Sequence, residues 1–403
     1  MITGIGELVT PEGKAALRGE RMREIRRIQD AFVAIDGGRI VSLGPREEAP
    51  KDWKGDVLDA GGRLVTPGLV DPHTHTVFAG SRVEEFLRRA QGEPYTGGGI
   101  LVTAAATREA EEGELVELAL PRLREMLRRG VTTVEIKSGY GLSPEAELKI
   151  LRAIRVLQRK VPQILVPTFL GAHAFPPEWD REEYIRLLVE EMIPRVAEEN
   201  LARFCDVFCD RGFYTVEEAE RILKVGKAHG LAPKLHADEL APVGAAELAA
   251  RVGAISADHL LHVSHQGMQE LARAGVVGVL LPATAFILDE PYPRAREMAA
   301  AGMSLALATD FNPGSSPALS LPFVMRISLL KLKLSPEEII VAVTLNAAAA
   351  VGLAGEVGSL EKGKRGNLVI WDVEDFRELF YWFGRDIAWA VVANGELVWR
   401  DCA

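Results

Sequence analysis

Eight short apolar, β-branched runs recur through the middle of the chain: "RLVTPGLVDPHTH", "GVTTVEIKSGYG", "QILVPTFLGAH", "RFCDVFCD", "APKLHADE", "GAISADHL", "GVVGVLLPAT" and "MSLALATDFNPG". Helical patterns lie between most of them. In "EGELVELALPRLREMLRRG", Val116, Leu120, Leu123 and Leu127 fall at helical spacing. "SPEAELKILRAIRVLQRK" opens with Ser143 as an N-cap and Pro144 at the first helical position. "TVEEAERILKVGKAHG" offers a Thr215/Glu218 capping box and stops at Gly230. Strands alternating with helices require a parallel sheet, because parallel neighbours need a crossover long enough to hold a helix. Eight units over roughly 250 residues fit a TIM (β/α)8 barrel better than an open doubly wound sheet. No glycine fingerprint for a dinucleotide follows the first strand.

The two ends of the chain follow another pattern. "GELVT", "AFVAIDGGRIVSLGP" and "VLDAGGRLVTPG" are short strands with glycine-containing turns. After the eighth run comes a helix, "SPEEIIVAVTLNAAAAVGL", with a Ser335/Glu338 capping box. Then come "RGNLVIWDV" and "AWAVVANGELVWRD", where Asn394-Gly395 is a hairpin turn signal. Neither end can bury a core alone. The expectation is one small β-sandwich assembled from residues 1–63 and 358–403, around a catalytic barrel of residues 64–357.

Charge and cysteine usage remove several function classes. A net charge of −10 leaves no domain-sized basic surface for nucleic acid. No apolar run approaches the ~20 residues of a membrane span. "MITGIGELVTPEG" has neither a basic nor an apolar region of a signal peptide, so a cytoplasmic enzyme is expected. Cys205, Cys209 and Cys402 are too few for a disulfide framework, and the first two read as packing residues in a reducing compartment.

A TIM barrel carries its chemistry at the C-terminal ends of its strands. Five of the eight histidines fall there: His73, His75, His173, His236 and His259. His73 and His75 are two apart, so on extended backbone their side chains share a face. Two converging imidazoles suit a transition metal. A catalytic site needs three or four protein ligands and one open position, and His73, His75, His236 and Asp310 can supply them. Asp310 can also take a proton from the bound water. No lysine ends the fourth strand to bridge two ions, so one divalent or trivalent metal ion is expected, and zinc or iron fits the donors. Lys137 receives no role. Asp238 and Asp258 read as supporting groups or caps.

The HxH, the histidines ending the fifth and sixth strands, the aspartate ending the eighth and the tail "TLNAAAAVGL…GSLEKGKRGNLVIWD" resemble the amidohydrolase superfamily. "VDPHTHTVFAGSRVEEF", "GGGI", "EIKSGYGL", "FLGAHAFPPE", "LHADEL", "SADHLLH" and "ATDFNPGSSP" are similar to its imidazolonepropionases, over nearly the whole chain. The resemblance implies metal-dependent hydrolysis of the ring amide of 4-imidazolone-5-propanoate to N-formimidoyl-L-glutamate, by a homodimer. A small substrate with a carboxylate tail gives several residues a task. Arg82 can grip the tail bidentately. Tyr140 and His173 can hydrogen-bond the substrate. Glu239 can hold a ring N–H and move protons. His259 can polarise the attacked carbonyl or shuttle a proton with Asp310. Asn312, Gly314 and Ser315 form a turn whose amides and side chains could bind a carboxylate. The segment around Thr96 is shorter than this family's pattern. The competing expectations are a cytosine or guanine deaminase, which needs no arginine clamp, and an inactive scaffold, which would not keep all four metal ligands.

Overall fold

The computed structural model describes residues 1–93 and 99–401. The shortened segment at Thr96, and Cys402, lie outside the described residues. Eight strands form the barrel: β1 (Leu69–Asp71), β2 (Val131–Lys137), β3 (Ile164–Ala172), β4 (Phe204–Cys209), β5 (Ala232–Ala237), β6 (Ser256–His259), β7 (Val277–Leu280) and β8 (Ser304–Leu307). Each pairs in parallel with the next. Beyond β1 and β8 the chain closes the ring through one parallel pairing, Thr74 with Phe311. The His75 amide donates to the Phe311 carbonyl at 2.8 Å, and the Asp310 amide to the His73 carbonyl at 3.1 Å. The closure therefore sets the HxH beside Asp310.

The helical periodicity is borne out. Helix Glu112–Arg128 buries Val116, Leu120, Leu123 and Leu127. Both capping boxes form, at Thr215/Glu218 and Ser335/Glu338. Ser143 is the N-cap before Pro144, but its side chain makes no capping bond.

The first apolar run is not one strand. Leu64–Pro67 belongs to the outer sheet, where it pairs antiparallel with Leu368–Trp371 and parallel with Ile2–Thr10. Only Leu69–Asp71 enters the barrel. The chain changes sheets at Gly68, later than the boundary expected after residue 63. A Cβ on Gly68 would lie 2.2 Å from Thr132 Oγ1, so the crossover needs a residue without a side chain.

The outer unit is a continuous eight-stranded mixed sheet built from both chain ends. Its order is Glu396–Arg400, Ala388–Ala393, Leu368–Trp371, Leu64–Pro67, Ile2–Thr10, Arg26–Asp36 and Arg39–Pro45, with Leu58–Asp59 beside Ile2–Thr10. It curls far enough for Arg39 to pair with Arg365 and for the Gly395 amide to reach the Gly366 carbonyl at 3.0 Å. The curl encloses its own core, with Ile5, Leu8, Val33, Val65, Ile370 and Val392 all buried.

Gly68→Ala should destabilise the fold by about 1–3 kcal/mol, the usual cost of overpacking. Guanidinium unfolding measures it. Thr132→Ala in the same chain should return part of the loss; a double variant no better than Gly68→Ala alone would show that Thr132 is not the obstacle.

Candidate active site

Beneath the barrel mouth lies a buried charge network. Lys137 Nζ is 2.7 Å from Asp206 Oδ2, 3.2 Å from Glu135 Oε1 and 3.3 Å from Asp258 Oδ2. Lys234 Nζ is 2.7 Å from Glu135 Oε2. All five side chains are fully buried. Burial opposes the charge on Lys137, but Asp206, Glu135 and Asp258 more than offset it and hold its pKa above the usual lysine value. Burial likewise opposes ionisation of Asp206, yet Lys137 and His236 hold it below the usual carboxylate range.

The network reaches the histidines through their inner nitrogens. Asp258 Oδ2 is 2.6 Å from His73 Nδ1, and Asp206 Oδ2 is 3.1 Å from His236 Nδ1. A carboxylate there keeps Nδ1 protonated and leaves Nε2 as a lone-pair donor. The Nε2 atoms of His73 and His75 lie 3.5 and 3.7 Å from Asp310 Oδ1. Ligand atoms of His73, His75 and His236 lie within 4.8 Å of one another, as do those of His73, His259 and Asp310. His73 Nε2, His75 Nδ1 and both ring nitrogens of His236 and His259 are buried without a hydrogen-bond partner. Such atoms are costly unless something else binds them. Burial holds His73, His75 and His259 well below the ordinary histidine pKa, neutral as metal ligands must be. Burial also pushes Asp310 up to about 6, partly offset by the Thr284 hydroxyl, which donates to its Oδ2 at 2.6 Å.

Above these groups a cleft is lined by Arg82, Tyr140, His173, Glu239, Asn312 and Ser315 together with His75, His236, His259 and Asp310. The buried Arg82 guanidinium packs where a Cβ on Gly99 or Gly314 would stand. Glu85 accepts from its Nε and Nη2 at 2.8 and 2.7 Å. His173 donates through Nδ1 to the Gly139 carbonyl at 2.9 Å, and burial lowers its pKa to about 3. The ring is therefore neutral, with Nε2 an acceptor. Burial pushes Glu239 well above the usual carboxylate range, with Asp310 and Asp210 adding repulsion. The Asn312 turn differs from expectation. Asn312 Oδ1 accepts from the Gly314 and Ser315 amides at 2.8 Å each. Those amides are engaged within the turn and are not open to a carboxylate. Asn312 shapes the wall, and the Ser315 hydroxyl remains its polar group facing the cleft.

The amidohydrolase family model matches residues 64–398. Imidazolonepropionase of Geobacillus kaustophilus is 49% identical over 98% of this chain and 96% of its own length. That of Symbiobacterium thermophilum is 49% identical over 99% and 96%. The chain belongs to the amidohydrolase family, among the imidazolonepropionases. Solved structures extend the likeness in fold alone. An atrazine chlorohydrolase from Arthrobacter aurescens complexed with zinc superposes with a TM-score of 0.75 at 18% identity, covering 98% of this chain and 94% of that one. An adenosine deaminase from Xanthomonas campestris with bound zinc gives 0.76 at 20%, covering 98% and 92%.

In this amidohydrolase, the residues beneath the histidines lie inside strands rather than at their ends. The fourth strand contributes Asp206, in mid-strand. The available signal was a charged residue inside a run buried on both faces; Glu135, Lys137 and Lys234 carry the same mark. Asp258 supports His73, and Asp238 caps the following helix by accepting from the amides of residues 243–246.

Lys137→Met removes the cation that balances three carboxylates. The expected cost is about 3–5 kcal/mol of stability, the usual result of stranding a buried charge. Equilibrium unfolding reads it directly. A loss below about 1 kcal/mol would mean that Lys137 does not hold the network together.

Proposed function

We propose that this enzyme hydrolyses the ring amide of 4-imidazolone-5-propanoate to N-formimidoyl-L-glutamate. The observation that carries the reading is a buried arginine, Arg82, opening onto the same cleft as a His/Asp cluster with unpartnered nitrogens. A neutral nucleobase gives that arginine nothing to bind, whereas a propanoate tail does. The relatives named imidazolonepropionase support the same substrate.

The donor set fits a metal ion. His73, His75, His236 and Asp310 would hold one ion, zinc or iron. When bound, such an ion supplies Lewis acidity, which makes a water more acidic and a carbonyl more electrophilic. The remaining work falls to side chains of this chain. Arg82 holds the tail. Tyr140 and His173 hold the ring, His173 by accepting at Nε2. Asp310 takes the proton from water as its oxygen bonds to the ring carbonyl carbon. His259 hydrogen-bonds the carbonyl oxygen as charge builds there. The bond from that carbon to the neighbouring ring nitrogen then breaks. Glu239, 3.5 Å from His259 Nδ1, returns a proton to the departing nitrogen. The carbonyl carbon ends as the product's second carboxylate.

The unit built from residues 1–67 and 358–403 acts as a scaffold domain for the catalytic barrel that begins after Gly68. The enzyme works in the cytoplasm, in keeping with Cys205 and Cys209 as free buried thiols. It works as a homodimer; the consecutive exposed aromatics Tyr381, Trp382 and Phe383 offer an apolar patch for such contact.

Following imidazolone absorbance with this substrate, and with cytosine and guanine, tests the reading. Turnover of a nucleobase in place of the imidazolone would overturn it. Arg82→Ala should cost about 2–5 kcal/mol of binding to the tailed substrate and much less for an analogue without the carboxylate. Equal losses for both would remove Arg82 from the tail. Asp310→Asn keeps an oxygen for the metal but cannot act as a base. Turnover should fall ~10²–10⁴-fold while elemental analysis still finds part of the metal. Near-normal kcat with metal bound would pass the base role to His259 or Glu239.

A further inference from the structure

The loop after β2, residues 138–142, carries Tyr140 and is held from two sides. Glu147, fully buried in the first turns of helix Pro144–Leu157, reaches back over it. Its Oε2 accepts from the Gly139 amide at 2.9 Å, and its Oε1 from the Gly141 and Leu142 amides at 2.7 and 2.8 Å. These amides bracket Tyr140. Arg108 takes the carbonyls of the same loop, donating to Gly141 and Leu142 at 2.6 Å each.

The conformation so held is not one the loop would adopt freely. Leu142 has φ +49°, a left-handed value that costs a non-glycine residue about 1–2 kcal/mol. Gly139 has φ +106°, and a Cβ there would meet His173 Nδ1 at 2.9 Å. A Cβ on Gly141 would lie 2.4 Å from the Glu147 amide nitrogen. The loop is pressed against the helix, its amides facing a carboxylate. It also touches a second group in the cleft. The Gly139 carbonyl, whose neighbouring amide Glu147 holds, is the acceptor that fixes the His173 tautomer.

We propose that Glu147 is a positioning residue for substrate binding, which sets Tyr140 directly and the acceptor face of His173 through Gly139. This rests on the reading of Tyr140 and His173 as substrate contacts. Glu147 touches neither substrate nor metal ligands, so its effect falls on binding rather than on the hydrolytic step.

The test compares Glu147→Gln, Arg108→Gln, Tyr140→Phe, His173→Gln and the double variant Glu147→Gln/Tyr140→Phe in the metal-loaded enzyme, with KM, kcat and metal content measured for each. Glu147→Gln turns an amide NH2 toward amides that need an acceptor. Hydrogen bonds to a charged group are strong enough that KM should rise about tenfold or more. The change in kcat should stay within about threefold, with metal content unchanged. Arg108→Gln loosens the same loop from its carbonyl side, at a more exposed position, and should shift KM in the same direction; it carries the test if Glu147→Gln does not fold. The double variant should be little worse than the more damaged single one, because both act through one contact. Three results would overturn the proposal: a fall in kcat or metal content with KM unmoved, a parental KM in both loop variants, or full additivity with Tyr140→Phe. If Tyr140→Phe raises KM while the loop variants do not, positioning by Glu147 fails and the substrate reading stands. If Tyr140→Phe and His173→Gln both keep the parental KM, the substrate reading falls and takes the proposal with it.

Discussion

Two lysines and three carboxylates, enclosed together below the barrel mouth, fix where everything above them points. Removing so many charges from water is expensive, and the cost is met only if each finds close partners. Lys137 does this for Asp206, Glu135 and Asp258, and Lys234 for Glu135. Each aspartate shares one oxygen between lysine and histidine: Asp258 Oδ2 faces both Lys137 and His73 Nδ1, and Asp206 Oδ2 both Lys137 and His236 Nδ1. The histidines thus face the cleft with Nε2, in orientations set by strands β2, β4 and β6. A metal site built this way is partly arranged before an ion arrives, because the His73 ring cannot turn without breaking its charge-assisted bond to Asp258.

The same rigidity explains where backbone strain collects. His259 and Asp310 both end or follow a barrel strand in left-handed conformations, with φ of +75° and +53°. Extended continuation would carry each side chain past the cleft. The left-handed turn stops the strand and leaves the side chain at the mouth. For Asp310 the strain is contained by the pairing of Thr74 with Phe311 on one side and by Thr284 on the other. Asp71 strengthens the same seam from below, accepting from the Thr309 amide and hydroxyl at 3.1 and 2.7 Å. Strain at reacting groups persists where surrounding structure over-determines the fold.

How much of this could be read in the sequence follows from what leaves a periodic or terminal mark. Strand–helix alternation gave the barrel, and histidines crowding at strand ends gave the cleft. Both signals depend only on spacing. The run "RLVTPGLVDPHTH" misled because two strands in different sheets, joined at Gly68, have the same apolar texture as one long strand. The joint role of Lys137, Asp206 and Glu135 leaves no mark in the spacing, because they meet partners on other strands that only the closed barrel brings together. The Asn312 turn looks open in the sequence because sequence shows which groups can donate, not which are already engaged. Its own side chain had taken the amides.

That last point extends around the mouth. Loops that leave a barrel carry backbone amides with no strand to receive them, in surroundings where water is partly excluded. Among the described residues this protein answers the problem four times with one device: a side-chain oxygen collects several neighbouring amides at once. Glu147 takes those of residues 139, 141 and 142; Asp210 those of 239 and 240; Asp238 those of 243 to 246; and Asn312 those of 314 to 316. Three of these four loops carry or adjoin a side chain that faces the cleft: Tyr140, Glu239 and Ser315. Acidic residues near the site therefore divide by what their oxygens receive. An oxygen filled by amides builds the wall. An oxygen left facing imidazoles, as Asp310 Oδ1 is, remains available for chemistry.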